Sequence, residues 1–168
     1  MRPKAFAIAA LPITFLAICL LSIVSTGCSD RGKEDKVVTV EDDDAEMNAA
    51  IAKARASLPQ FWAAFEKRTN GESDFALKVQ ITDSNGTEHF WATEIERRDG
   101  NIMGTINNDP NIVESVKLGE RIVIPEADIS DWLHMRHGKM VGNATVKPLF
   151  KQMPPAEVQR LKKLMAEP

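Results

Sequence analysis

Sulfur is scarce in this chain. Its 168 residues include two cysteines, Cys19 and Cys28, both near the start. Beyond residue 28 there is no disulfide framework and no cysteine-based zinc site. Tyrosine is absent and aromatic residues make up 6%, so any aromatic platform for a sugar or peptide must rest on tryptophan and phenylalanine. An excess of positive charge is missing too. Lys and Arg number 21 against 24 Asp and Glu, a formal net charge of -3. From Met47 onward the two signs balance, which argues against a nucleic-acid footprint. No internal repeat is visible. Gly100, Gly104 and Gly119 are not followed by the lysine of a phosphate loop. The remaining composition, 43% hydrophobic and 27% charged, is that of one globular domain and excludes wholesale disorder and a multispan membrane protein.

The first long apolar run lies at the N-terminus. Arg2 and Lys4 give a basic start, Ala5 to Val24 carries no charge, and Ser25-Thr26-Gly27 precedes Cys28. This is the layout of an export signal. The cysteine behind small residues resembles the lipobox of bacterial lipoproteins, although Ser25 stands where an aliphatic residue is usual. That resemblance implies cleavage before Cys28 and lipid on its sulfur. Two other readings stay open: an uncleaved anchor, because the run is just long enough to span a bilayer, and plain secretion with a free Cys28. All three put the folded part outside the cytoplasm. If the cell is Gram-negative, Ser29 after the cysteine favours the outer membrane, facing the periplasm, by resemblance to lipoprotein sorting rules. Ser29 to Glu46 then holds eight acids and three bases, a self-repelling stretch expected to act as a flexible tether. The run Asp42-Asp43-Asp44 offers hard oxygen ligands for calcium, but it lacks the glycine and ligand spacing of an EF-hand loop. The expected organisation is an export signal over 1–27, a lipidated cysteine and tether over 28–45, and one domain over 46–168.

Within that domain the pattern predicts helix, strands, helix. Asp43 and Glu46 form a capping box. Met47, Ala50, Ile51, Ala54, Leu58, Phe61, Trp62 and Phe65 recur at helical spacing. Pro59 interrupts them, and Ser57 before it is a second capping signal, so a kinked helix or a helix pair is expected. Phe75, Leu77, Val79 and Ile81 alternate with Ala76, Lys78, Gln80 and Thr82, a half-buried strand. Asn85-Gly86 and Asp99-Gly100 mark hairpin turns. Further strands are expected over His89 to Ile95, Ile102 to Ile106 and Arg121 to Ile124. A short helical turn is expected at Val113 to Leu118 and a turn at Asp128 to Trp132. A last hairpin pairs Leu133 to Arg136 with Met140 to Leu149 around Gly138. Pro154-Pro155 opens a final helix. With no long crossover helix between strands, the fold class is α+β: a helix or helix pair on a mostly antiparallel, curved sheet of five to six strands, with a short C-terminal helix.

Several segments carry a family resemblance. Glu88-His89-Phe90-Trp91, Gly100 to Pro110, Val116 to Ile122, Ile129-Ser130-Asp131-Trp132 and Gly138 to Gly142 together resemble the bacterial domain-of-unknown-function family 2314 (YegJ-like). The resemblance spans Met47 to Phe150. It implies a fold and a small bacterial protein, sometimes exported. It assigns no activity, cofactor or catalytic residue.

A few residues carry candidate chemistry. His89, His134 and His137 offer imidazoles for zinc or copper, but a three-residue spacing on a strand sends two side chains to opposite faces. Ser130, Asp131 and His134 suggest a nucleophile set without the strand-to-helix elbow that exposes such a serine. Asp128 with Asp131, or Glu88 with Glu94, are paired carboxylates lacking an evident pocket. Trp91 and Trp132, with Phe90, are either core or a binding surface. The favoured expectation is a non-catalytic interaction module without a cofactor, tethered to membrane lipid through Cys28 and bound to an unknown envelope protein. The alternatives are a hydrolase or metal-dependent enzyme built on His89, His134 and nearby acids, and an immunity-type protein that binds a toxin.

Overall fold

A computed structural model describes residues 44–68 and 71–166, all within the compact unit Asp35–Pro168. The expected export signal, Cys28 and nearly all of the tether lie outside the described residues. The fold is α+β. Helix α1 (Ala45–Lys67) is followed by strands β1 (Glu72–Asp83), β2 (Gly86–Arg98), β3 (Asn101–Ile106) and β4 (Arg121–Val123), a 3-10 turn at Glu126–Asp128, then β5 (Ile129–Arg136) and β6 (Lys139–Gly142). A short helix α2 (Val146–Leu149) and a final helix α3 (Pro155–Leu164) close the chain. The six strands form one open sheet in the order β4-β3-β2-β1-β5-β6, antiparallel at every pairing. Among the described residues no helix is long and apolar enough to cross a membrane.

Helix α1 is one helix, not two. Asp44 is its N-cap and accepts from the Glu46 and Met47 backbone N–H groups, which satisfies two of the donors that every helix start leaves unpaired. Pro59 lies inside the helix, where proline costs about 3 kcal/mol. The buried stripe Ala54, Leu58, Phe61, Trp62 and Phe65 outweighs that cost, because each large apolar side chain contributes about 1.5–3 kcal/mol on burial. Ser57 does not cap a second helix. Its hydroxyl donates to the Ala54 carbonyl, and the Trp132 indole Nε1 donates to the same carbonyl at 3.0 Å.

The pleat sorts the sheet into two faces. Leu77, Val79, Ala92, Ile129 and Trp132 pack under α1 in the main core. A smaller cluster of Phe90, Ile106, Val113 and Val116 holds the long loop between β3 and β4. That loop shows no helical turn at Val113–Leu118. It is pinned by carboxylates instead: Glu88 accepts from the N–H groups of Asn111, Ile112 and Val113, and Asp83 from those of Glu114 and Ser115. Burial pushes the Glu88 carboxyl up, but the three backbone donors win and hold it below its usual range.

Turn chemistry explains the other departures. Asp99-Gly100 and His137-Gly138 have positive φ at both positions, the primed turn that suits a right-twisted hairpin. The first hairpin pairs Asp83 with Gly86, so Ser84-Asn85 are its loop residues and not the expected Asn85-Gly86. The register slips between Ser73 and Ala76 and between Thr93 and Glu96, with Asp74 and Glu94 at positive φ inside the slips. Such bulges bend a strand and increase its twist. Ser130 to Trp132, expected in a turn, belong to β5. Strand β6 stops at Gly142, well short of Leu149.

Candidate functional site

The sheet face turned away from α1 is polar at its centre. Lys78 pairs across the sheet with Trp91 on one side and Asp131 on the other. Period-two alternation therefore puts these three side chains on one face. Gln80 and His89 form the next pair on the same face. Lys78, Gln80, His89, Trp91, Asn108 and Thr145 line a common groove.

Asp131 is its anchor. The residue is 1% exposed, and its carboxylate accepts from the backbone N–H groups of Trp132, Ala144 and Thr145 and from the Thr145 hydroxyl at 2.7 Å. These bonds fold the chain after β6 back over the sheet and deliver Thr145 to Lys78. The Lys78 ammonium donates to Thr145 Oγ1 at 2.8 Å and stands 4.9 Å from the centre of the Trp91 ring, a cation–π arrangement. Burial pushes the Lys78 pKa down while the Asp131 charge acts the other way. On the groove rim, His89 Nδ1 and Ser130 Oγ share a hydrogen bond of 2.8 Å, and Ser130 Oγ also donates to the Lys78 carbonyl. Burial lowers the His89 pKa, and the positive charges of Lys78 and Arg55 lower it further. Both effects favour the neutral imidazole.

The residues singled out in the sequence scatter. His134 does not join Ser130 and Asp131. It lies on the α1 side, 1% exposed, stacked on Phe75 at 5.1 Å and on Trp132 at 6.0 Å. His137 sits in the β5–β6 turn with φ 50° and His89 on the opposite face. The three imidazoles do not converge, and among the described residues no group of three His, Cys, Asp or Glu is placed to hold a metal. Trp132 and Phe90 are 4% and 0% exposed; of the two places open to them, core or binding surface, both take the core. Trp91 alone of the three faces the groove. Asp131 is consumed by its four donors, Glu88 by its loop, and Glu94 by the Thr105 hydroxyl, so none of them forms a free carboxylate pair. Lys78 was missed, because a lysine alternating with apolar residues reads as solvent-facing. Its real cover, Thr145, lies 67 positions away.

Neither His134 ring nitrogen has a hydrogen-bonding partner among the described residues. Burial and the Arg136 charge lower its pKa from 6.5, with Glu72 opposing. The folded pKa thus lies below the unfolded one, so the unfolded chain binds the proton more readily. The stability contributed by neutral His134 is complete above the unfolded value of 6.5 and falls as the pH drops below it. We expect the urea midpoint to fall between pH 7.5 and 5.5, and His134→Phe to flatten much of that fall.

An open antiparallel sheet with a helix on one face and a polar groove on the other defines an α+β domain. A family model described as "Uncharacterized protein conserved in bacteria (DUF2314)" matches residues 44–165, and the chain belongs to that family. The match runs past Phe150, so α3 is part of the family's domain. The chain is 36% identical over 147 residues to "Uncharacterized protein YegJ" of Escherichia coli (strain K12), covering 88% of this chain and 94% of that one. It is 32% identical over 122 residues to a putative ankyrin repeat protein of Neisseria meningitidis serogroup B, covering 68% of this chain and 48% of that protein. No solved structure matches.

Proposed function

We propose that this chain is an envelope protein tethered through lipid on Cys28, and that its domain is a non-catalytic binding module working through the groove around Trp91. The observation that carries the binding reading is the pairing of Trp91, the one groove tryptophan, with a half-buried lysine beside it. Aromatic side chains beside desolvated polar groups are the usual anchors of recognition sites. Ser130 and His89 make a hydrolase the runner-up, because they share a short hydrogen bond. Against it, Ser130 is 0% exposed, and the acid beside it is committed to holding a loop.

The tether rests on the sequence of residues 2–28, with its basic start, apolar run and small residues before cysteine. Two or three acyl chains anchor firmly, since each buried methylene contributes about 0.8 kcal/mol. Cys28→Ser is expected to leave the protein unlipidated, with a changed mass and changed behaviour on membrane extraction. Identical mass and extraction overturn the lipid reading. The binding reading is tested by crosslinking and mass spectrometry in the native cell. Trp91→Ala is expected to remove specific crosslinks to an envelope protein while the circular dichroism spectrum stays as in the parent. An unchanged set of crosslinks overturns it.

A further inference from the structure

Lys78 is a groove cation without an ion pair among the described residues. Its Nζ makes one hydrogen bond, to a neutral hydroxyl. The Asp131 carboxylate behind it is already taken by four donors. An ammonium has three protons to give, and a poorly paired buried charge is costly. Two amides line the same groove with donors unspent among the described residues. Asn108 uses its Oδ1 to accept from the Trp91 N–H, which leaves its NH2 group, and Gln80 lies two residues from Lys78 on the same face.

We infer that the groove binds a carboxylate group, held by the Lys78 ammonium and the amides of Asn108 and Gln80 beside the Trp91 ring. This rests on the binding reading above and names its ligand chemistry. Glu88, Glu94 and Asp109 line the same groove and repel a doubly charged phosphate more strongly than a singly charged carboxylate, so the carboxylate fits better. Partial burial of the ammonium strengthens the charge-assisted bond, because less water competes for it. Thr145 fixes the lysine in advance, which reduces the ordering cost of binding.

The probe is acetate, titrated into the detergent-solubilised full chain at constant ionic strength in chloride. The readout is the ¹⁹F signal of 5-fluorotryptophan at position 91, assigned by its loss in Trp91→Phe. A saturating shift is expected. Lys78→Met removes the charge without leaving a cavity and is expected to weaken binding by about tenfold or more, while Lys78→Arg keeps it. A shift that never saturates, or an equal response in Lys78→Met, overturns the inference. Saturation with inorganic phosphate in place of acetate overturns the carboxylate assignment. The two readings fail separately: crosslinks lost in Trp91→Ala without acetate binding sink only the ligand class, and acetate binding with unchanged crosslinks sinks only the protein-partner module.

Discussion

Asp131→Ala is expected to destabilise the domain by about 3–5 kcal/mol, a large part of a typical total of 5–15. The substitution strands three backbone N–H groups, those of Trp132, Ala144 and Thr145, of which Trp132 and Thr145 belong to buried residues. Each unsatisfied buried donor costs about 1–3 kcal/mol. It also removes the negative field that partly offsets the desolvation of Lys78. Urea unfolding measures the effect, with a lower midpoint and an unchanged slope if the cause lies in the folded state. Thr145→Val is the control. It deletes only the hydroxyl bridge between Asp131 and Lys78 and is expected to cost about 1 kcal/mol. Equal losses for the two variants would mean that the carboxylate matters only through Thr145 and not through the backbone it holds.

Gly142→Ala is expected to be the second severe change. Gly142 has φ +88°, and an added Cβ would run into the Trp132 carbonyl oxygen and come within 2.7 Å of its ring. The left-handed conformation costs a non-glycine residue about 1–2 kcal/mol, and forcing atoms into a packed site adds about 1–3. Gly138→Ala separates the two contributions. Its φ is +73°, but nothing lies within 4 Å of the new atom, so only the conformational cost applies. Thermal unfolding of the pair is expected to show Gly142→Ala clearly below Gly138→Ala. A smaller loss at Gly142 would mean that the backbone there moves aside without penalty.

Both substitutions strike the corner where the chain leaves β6, and this corner was the part least legible in the sequence. Helical spacing located α1, alternation located β1, and Asp99-Gly100 located its hairpin, because those signals are written within a few residues. Pro59 predicts a kinked helix or a helix pair, and one continuous helix wins because its aromatic stripe gains contacts with a sheet distant in sequence. Ser130 and Asp131 look like turn residues, since short polar side chains bond their own backbone. In the fold Asp131 instead satisfies donors 13 and 14 positions ahead. Trp91 and Trp132 lie on the two strands that flank β1, and only the register separates them: Trp91 stands opposite Lys78 and Trp132 opposite Leu77, so one enters the groove and the other packs under the helix. The groove itself is assembled from β1, β2, β5 and two loops, so no local window contains it.

The strand order also bears on how the molecule comes into being. β1 and β5 are neighbours at the centre of the sheet, yet three other strands are made between them. A chain emerging N-terminus first can complete the β1-β2-β3 meander early by local closure, whereas the β1–β5 seam must wait for distant residues, and such long-range closures are slow. Until then one full edge of β1 is bare, and α1 has only half of the floor it needs, since Ile129 and Trp132 have yet to arrive. A bare edge beside an aromatic stripe invites strand addition from a second molecule. The half-made domain is thus the form most in need of a chaperone.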